Sequence, residues 1–170
     1  MPLNTMKDLL LDQLNELYAA EKHSLEVLPK LAKAASSPKL AQAFRDHAQE
    51  SKEHLSRLDT IFDDLGTSAR TPGRAESKAS KGLCQDCLKL ASMAKADPAV
   101  RDAALIAVAQ HVEHDEIAGY GCARTWADLL GHDTIASNLR KTLAEERKAD
   151  TELTRLAENL NKRALAATPA

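Results

Sequence analysis

The chain is poor in aromatic residues, in cysteine and in net charge, and the last two shortages argue against particular classes of protein. Only 3% of its 170 residues are aromatic, and an odd count of three cysteines does not suggest a disulfide framework. A formal net charge of −2 gives no general attraction to nucleic acid or to anionic membranes. No apolar run approaches the roughly 20 residues that span a bilayer, and the N-terminus lacks the layout of a signal peptide. We therefore expect a cytoplasmic protein with neither a nucleic-acid nor a membrane partner.

The abundant residues favour helices. Leu and Ala supply most of the 44% hydrophobic content, and both lose little side-chain freedom in a helix. A chain of this length fits one domain with a substantial core. We expect residues 1–170 to form a single all-α domain.

Apolar residues recur with the helical period in four long segments. These helices are expected at about residues 5–35, 38–65, 98–130 and 133–165. Pro38 and Pro98 suit the first turn of a helix, and Gly66 and Gly131 are natural stops.

The connections between these helices are unequal in length. The first and second helices, and the third and fourth, are separated by very short links, which predicts two antiparallel hairpins. The crossover, residues 66–97, is long enough to return along a bundle of roughly 40 Å. We read residues 67–81 as a loop, followed by a short extra helix within GLCQDCLKLASMAKADP. Two hairpins joined by one long crossover are typical of the ferritin-like four-helix bundle.

Ionisable residues lie where the core of this bundle should be. In the first, third and fourth helices they fall within or close beside the apolar stripe, whereas in the second they lie together on one flank of it. The candidates, in chain order, are Glu21, Glu50, His54, Glu113, Glu116, Glu146 and Asp150.

Unpaired buried carboxylates cost several kcal/mol each, so this set requires cations in the core. Carboxylate oxygens and an imidazole are suitable ligands for divalent metals, and i,i+3 or i,i+4 spacing puts both members of a pair on one helix face. Seven ligands exceed the need of one ion and suit two ions bridged by carboxylates. We predict two iron ions, with manganese or zinc as alternatives.

Several neighbouring residues are interpreted differently. Glu16, Glu53 and Glu145 point away from the stripes and are expected to be surface charges. His47 lies one turn before Glu50, where it either supports a ligand or packs as an ordinary histidine. His111 and His114 point off the stripe, and Tyr18 and Tyr120 either pack or donate hydrogen bonds near the site.

The short crossover helix carries two cysteines and several apolar residues. Cys84 and Cys87 have the spacing of a redox or zinc pair, but no second pair completes a zinc set, so a structural or incidental role is favoured. Apolar side chains expected to be exposed on this helix suggest a homodimer. These are Leu83, Leu88, Leu90 and Met93.

Four blocks of the sequence, spread over nearly the whole chain, resemble the YciE/YciF family of bacterial ferritin-like stress proteins and, more distantly, rubrerythrins. They are YAAEK, HAQESKEHLSRLD, VRDAALIAVAQHVEHDEIAGYG and TLAEERKADTELT. The resemblance implies a dimeric helical bundle with a dinuclear metal centre. It also implies Glu21, Glu50, Glu113, Glu116 and Glu146 as ligands.

The sequence departs from the rubrerythrin pattern, which has Glu-x-x-His on the second and fourth helices. Here the second helix has Glu50-x-x-Glu53 with His54 one place later, and the fourth has Asp150 four residues after Glu146. An oxygen-rich site would hold ferric iron or manganese. The rubredoxin module of rubrerythrins is missing, so an external electron donor is expected.

Three functions are compatible with this pattern. The first is oxidation of ferrous iron by dioxygen or hydrogen peroxide, as a ferroxidase or peroxidase that protects against oxidative or osmotic stress. The second is non-catalytic iron storage or metal binding, for example in a Dps-like shell. The third is a bundle without metal, in which Arg124 on the third helix pairs with an inward carboxylate.

Overall fold

In the computed structural model, residues 3–69 and 78–166 are described. They form helices and no strands. The helices are α1 (Met6–Ala34), α2 (Pro38–Asp64), α3 (Lys78–Ala91), α4 (Pro98–Leu129) and α5 (Asp133–Ala166). Within the two described ranges, no helix is long and apolar enough to cross a membrane.

Side chains fix the beginnings of three helices. Thr5 and Asp8 form a capping box at α1, in which each side chain accepts the other residue's backbone N–H, at 3.1 and 3.0 Å. Ser37 caps α2 and Asp97 caps α4, each directly before a proline. The bounds of the four long helices lie within one residue of the ranges expected from the sequence.

Two glycines terminate helices. Gly66 follows α2 with φ +67°, and Gly131 follows α4 with φ +74°. This left-handed conformation is disfavoured for residues with a Cβ atom, so both positions favour glycine.

The four long helices surround a common interior. α1 packs against α2, and α4 packs against α5, while contacts of α1 with α4 and of α2 with α5 complete the ring. Gly119 permits close approach of α1 and α4, because a Cβ atom there would lie 2.8 Å from Leu17 Cδ2. The interior is therefore lined by all four long helices.

Two apolar clusters fill the ends of this interior, and each long helix contributes to both. One contains Val27, Leu28, Leu31, Leu40, Phe44, Leu105, Ile106, Leu153 and Leu160. The other contains Leu10, Leu14, Leu17, Leu58, Ile61, Phe62, Tyr120, Ile135, Leu139 and Leu143. Along every long helix, the stretch between its two sets of apolar residues carries buried polar side chains. The fold thus places a polar layer between two apolar ones.

The crossover helix differs from the expectation in two ways. α3 packs against α1 and α4 and begins at Lys78, inside the segment expected to be a loop; residues 70–77 of that loop lie outside the described part. Leu88 and Leu90 pack against the first apolar cluster, so the expectation that they are exposed was wrong. Met93 is 47% exposed, as expected.

Candidate metal centre

The polar layer is built from all four long helices. Its ionisable members are Glu21 of α1, His47 and His54 of α2, Glu113 and Glu116 of α4, and Glu146 of α5. All six are buried, with exposures from 0% to 6%. The structure therefore brings five of the seven predicted ligands together and adds His47 to them.

The first group of ligating atoms belongs to Glu21, His54 and Glu146, and these atoms lie within 4.8 Å of one another. His54 Nδ1 is 3.0 Å from Glu21 Oε1 and 2.9 Å from Glu146 Oε1. The hydroxyl of Tyr120 donates a hydrogen bond of 2.7 Å to Glu21 Oε1. A phenol, an imidazole and two carboxylates thus meet in one buried pocket.

The second group consists of His47, Glu113, Glu116 and again Glu146, also within 4.8 Å of one another. His47 Nε2 is 3.2 Å from Glu113 Oε1 and 3.6 Å from Glu146 Oε2. Ser24 donates a hydrogen bond of 3.1 Å to Glu116 Oε1. Because Glu146 belongs to both groups, its two oxygens face two adjacent sites.

Burial and mutual repulsion make the carboxylates of this layer difficult to ionise. Burial raises the pKa of Glu21, and it raises the pKa of Glu113 and Glu116 well above the ordinary range, with the neighbouring carboxylates adding to the effect. Glu146 differs: although burial raises its pKa, the two histidines outweigh that effect and lower it. The layer contains four carboxyl groups and only two residues, His47 and His54, that can carry a positive charge.

The surroundings of the two histidines favour their charged form, whereas those of most of the carboxyl groups favour the neutral form. Burial lowers the pKa of His54, but the adjacent Glu146 and Glu21 carboxylates raise it to about 11. For His47, burial is likewise outweighed by Glu50 and the buried carboxylates, so its pKa is raised. Without metal, both imidazoles therefore serve as cations among the carboxylates.

Several carboxylate oxygens in this layer nevertheless accept no hydrogen bond. The buried oxygens that accept no hydrogen bond include Glu21 Oε2, Glu113 Oε2, Glu116 Oε2 and Glu146 Oε2. Each such atom is costly to bury unless a cation or a donor approaches it. A donor set of carboxylate oxygens and imidazole nitrogens at this spacing fits iron, manganese or zinc ions.

Two predicted ligands lie at the margin of the layer. Glu50 is half-exposed: its carboxylate is 3.2 Å from Lys148 Nζ and 3.6 Å from His47 Nδ1. Asp150 accepts a hydrogen bond of 2.9 Å from Gln110 Nε2. Neither belongs to the two groups of ligating atoms, and as ligands both remain predictions.

The expectation that Glu145 is a surface charge was wrong. Its carboxylate lies 3.1 Å from His54 Nε2 and accepts hydrogen bonds from Arg57, with 23% of the side chain exposed. Arg57 Nη1 also donates to Thr142 Oγ1 at 3.0 Å. An arginine one turn after His54 on α2 was the available sequence signal for this contact.

Arg124, which was expected to pair with an inward carboxylate in a bundle without metal, instead contacts residues of its own helix. Arg124 lies 3.4 Å from Asp128 on its own helix and donates to Thr125. The positive charge that the polar layer does contain comes from histidines, a residue type that also binds metal ions in its neutral form.

A groove between α2 and α5 leads from solvent to the second group. Its volume is about 790 Å³, and His47, Glu50 and Glu113 contribute to its lining. Small solutes therefore have a route to the buried carboxylates.

An all-α bundle with buried carboxylates and histidines between its helices is the architecture of ferritin-like proteins. The chain belongs to the family described as "Domain of unknown function (DUF892)", whose model matches residues 5–166. It is 39% identical to protein YciF of Escherichia coli K12 over 165 residues, which cover 96% of this chain and 98% of YciF. The crystal structure of that stress protein superposes with a TM-score of 0.87 at 37% identity, covering 94% of this chain and 98% of YciF. The resemblance to the YciE/YciF family is confirmed.

More distant structures support the ferritin-like fold. A ferritin-like di-iron-carboxylate protein of Bacillus anthracis matches with a TM-score of 0.69 at 19% identity, covering 91% of this chain and 98% of the other. A dodecameric thioferritin of Bacteroides fragilis matches with a TM-score of 0.71 at 16% identity, covering 97% of this chain and 93% of the thioferritin chain. At these identities the likeness concerns the fold alone.

Proposed function

We propose that this chain binds two iron ions in the polar layer and oxidises ferrous iron with dioxygen or hydrogen peroxide during stress. The polar layer lies within a single ferritin-like domain made of two antiparallel helical hairpins and a crossover. YciF, to which the chain is 39% identical, is described as a stress protein. Manganese and zinc suit the same donor atoms.

The sharing of Glu146 carries this proposal. Its carboxylate lies between two groups of buried side chains, one ending in Glu21 and His54 and the other in His47, Glu113 and Glu116. A carboxylate bridge between two ions is the arrangement that such sharing favours. The oxygens in both groups that accept no hydrogen bond are available to two cations, and loss of protons from these carboxyl groups on binding would supply the compensating negative charge.

The residues of the chain hold, orient and shield this site. Glu21, His54 and Glu146 would bind one ion, and His47, Glu113 and Glu116, again with Glu146, the other. Tyr120 and Ser24 each donate a hydrogen bond to a carboxylate of the set, which fixes its rotamer. The apolar clusters on both sides exclude bulk water, so solvent reaches the centre through the groove between α2 and α5.

The chemistry that two bound ferrous ions supply is the transfer of one electron each to the oxidant. The dense carboxylate set favours the ferric product, because its negative charge stabilises the higher oxidation state. Consumption of peroxide together with ferrous iron would remove two damaging species at once.

The proposal is tested by metal analysis and by one pair of variants. Metal-free protein titrated with ferrous iron should bind two ions per chain, and anomalous diffraction at the iron and manganese edges should locate them beside Glu146. Glu113→Ala should stay folded, and gain stability without metal, because it removes an inward carboxyl from a like-charged cluster. It should also lose the oxidation of ferrous iron.

The matched control is Glu53→Ala, since Glu53 is exposed on α2 and faces Arg57 rather than the polar layer. It should bind and oxidise iron as the wild type does. If the Glu113→Ala variant oxidises iron at the wild-type rate, the polar layer is not the oxidation centre.

A small assembly, most simply a homodimer, accompanies this proposal. Met93 and Val100, both near the start of α4, are exposed apolar side chains, at 47% and 46%. Light scattering should give a mass near two chains. A shell of 12 or 24 chains would instead favour iron storage.

A further inference from the structure

Two buried thiols lie beside the polar layer and have no part in the proposed function so far. Cys84 and Cys87 are on the inward face of α3, with exposures of 6% and 0%, and both are free thiols. They stand one helical turn apart. Cys122, the third cysteine, is exposed on α4.

A small cavity connects the two thiols to the candidate metal ligands. Its lining includes Cys84, Cys87, His47, Glu113 and Ser24, and its volume is about 10 Å³. That space holds about one water molecule. The thiols therefore share one narrow, buried cavity with two of the candidate ligands.

His47 and Glu113 also line the solvent-open groove between α2 and α5. This pair, 3.2 Å apart, stands between the groove on one side and the thiol cavity on the other. An oxidant that enters by the groove thus meets the ligands first and the thiols behind them.

The thiols are poorly suited to react with an oxidant directly. Burial raises the pKa of Cys84 to about 11 and that of Cys87 to about 12. A protonated and buried thiol is a weak nucleophile toward peroxide. Any rapid oxidation of the pair therefore requires an electron acceptor inside the protein, next to the cavity.

The spacing of the pair permits a reversible disulfide. Residues i and i+3 of a helix have Cβ atoms about 5–6 Å apart, whereas a disulfide requires about 3.5–4.5 Å. The bond can therefore close after a small local adjustment of α3. Strained disulfides are readily reduced again, which is typical of redox pairs rather than structural bridges.

We propose that Cys84 and Cys87 form an internal two-electron donor for the metal centre, an inference that rests on the proposed function. Both S–H bonds break, one S–S bond forms, and each sulfur gives up one electron and one proton. The oxidant is a pair of ferric ions held in the polar layer, which accept one electron each and become ferrous. The two protons leave by way of the cavity, past His47 and Glu113, to the groove.

The test follows the thiols by mass in the full-length protein. Reduced protein is loaded with two ferrous ions per chain, oxidised anaerobically with one equivalent of hydrogen peroxide, quenched in acid and alkylated. Peptide mass spectrometry then measures the Cys84–Cys87 disulfide, and a ferrous-iron chelator measures the iron that is reduced again. We expect one disulfide for every two ferrous ions recovered, with Cys122 still alkylated.

Metal-free protein given the same peroxide is the first control. It should form roughly tenfold less disulfide or none, since protonated and buried thiols react slowly. The second control is Cys122→Ser, which should behave as the wild type, whereas Cys87→Ser should bind and oxidise iron once without recovering ferrous iron.

Three outcomes would overturn the proposal. Thiols that stay reduced while the bound iron is oxidised would show that the pair gives no electrons to the centre, although the proposed function would stand. Equal disulfide formation with and without metal would indicate direct reaction with peroxide. A chain that binds no iron would remove both the proposed function and this inference.

Discussion

His54 Nε2 lies 3.1 Å from a carboxylate oxygen of Glu145, while Nδ1 of the same ring faces Glu21 and Glu146. Burial raises the pKa of Glu145, but the Arg57 guanidinium outweighs this and lowers it, so Glu145 is an ionised acceptor. An acceptor at Nε2 keeps a proton on that nitrogen when the ring loses its second proton, so Nδ1 is the nitrogen that would bind a metal ion. The ring is thus oriented for coordination before any ion arrives.

Loss of this acceptor should weaken metal binding at the proposed site of Glu21, His54 and Glu146 without unfolding the bundle. In Glu145→Ala, nothing fixes the tautomer of His54, and the affinity for the ion held by Glu21 and His54 should fall about 10- to 100-fold. Competition with a chromophoric chelator measures this affinity. Glu53→Ala removes the other carboxylate facing Arg57, at 3.5 Å, and should leave the affinity unchanged. Equal affinity in both variants would mean that the Nε2 contact does not orient the ring.

The two proposed metal sites can be distinguished by a variant of His47, because this residue belongs to only one of the two groups of ligating atoms. His47→Ala should reduce the stoichiometry from two ions per chain to one, measured by metal analysis after gel filtration. His114→Ala is the control, since that side chain is 67% exposed. Two tightly bound ions in His47→Ala would show that Glu113 and Glu116 suffice for the second site.

The metal-free protein should lose stability as the pH rises from about 6 to 9. Burial raises the pKa of Glu113 and Glu116 well above 4.5, and the carboxylates around His54, despite burial, raise its pKa from 6.5 to about 11. Groups with a pKa raised by folding bind more protons in the folded state. Their contribution to stability is complete below the unfolded-state pKa and is lost as the pH rises through the folded-state pKa. Thermal unfolding at several pH values should show this decline.

Below about pH 4.5 the metal-free protein should instead lose stability as the pH falls, because His47 holds the pKa of Glu50 at about 2. The stability supplied by such a group is present above its unfolded-state pKa and is lost as the pH falls.

Glu113→Gln should flatten the decline in stability between pH 6 and 9, since the amide has no proton to lose. Metal-loaded protein should show the opposite slope, because ions compete with protons for the same oxygens. A melting temperature of the metal-free protein that does not change with pH would contradict this account.

The long helices and the buried position of the main candidate ligands could be predicted from sequence because both depend on the helical period. Proline, glycine and capping residues mark the helix ends, and a carboxylate such as Glu21 within an apolar stripe has to point inward. Glu113, Glu116 and Glu146 follow from the same argument. None of these predictions requires the relative position of two helices.

The contacts that could not be predicted from the sequence depend on how the helices pack against each other. Glu145 is adjacent to Glu146, and its rotation of about 100° away from the stripe indicates solvent unless α2 is known to approach there. Glu50 and His47 share one flank of α2, and only the packing decides that His47 is buried while Glu50 faces Lys148. The inward face of α3 was equally undetermined, because a short helix can dock in several rotations.

The connection between α1 and α2 is held by a residue of α4, and its removal should cost stability without affecting the metal centre. Asp102, 2% exposed, accepts hydrogen bonds of 2.7 Å from the backbone amides of both Ser36 and Ser37. Asp102→Ala would leave these two donors near the first turn of α2 unsatisfied. Because hydrogen bonds to a charged group contribute about 1.5–3 kcal/mol each, the free energy of unfolding should fall by about 3 kcal/mol.

Asp97→Ala is the matched comparison, since Asp97 also accepts two backbone amides, from Ala99 at 2.8 Å and Val100 at 3.1 Å, but only within its own helix start. Loss of an N-cap costs about 1 kcal/mol. Urea unfolding of the metal-free variants measures both changes, and metal analysis should find two ions in each. A loss in Asp102→Ala no larger than in Asp97→Ala would contradict its role between helices. Because Asp102 and Glu113 lie on the same helix, a loss of metal in Asp102→Ala would show that the α1–α2 connection also positions the ligands.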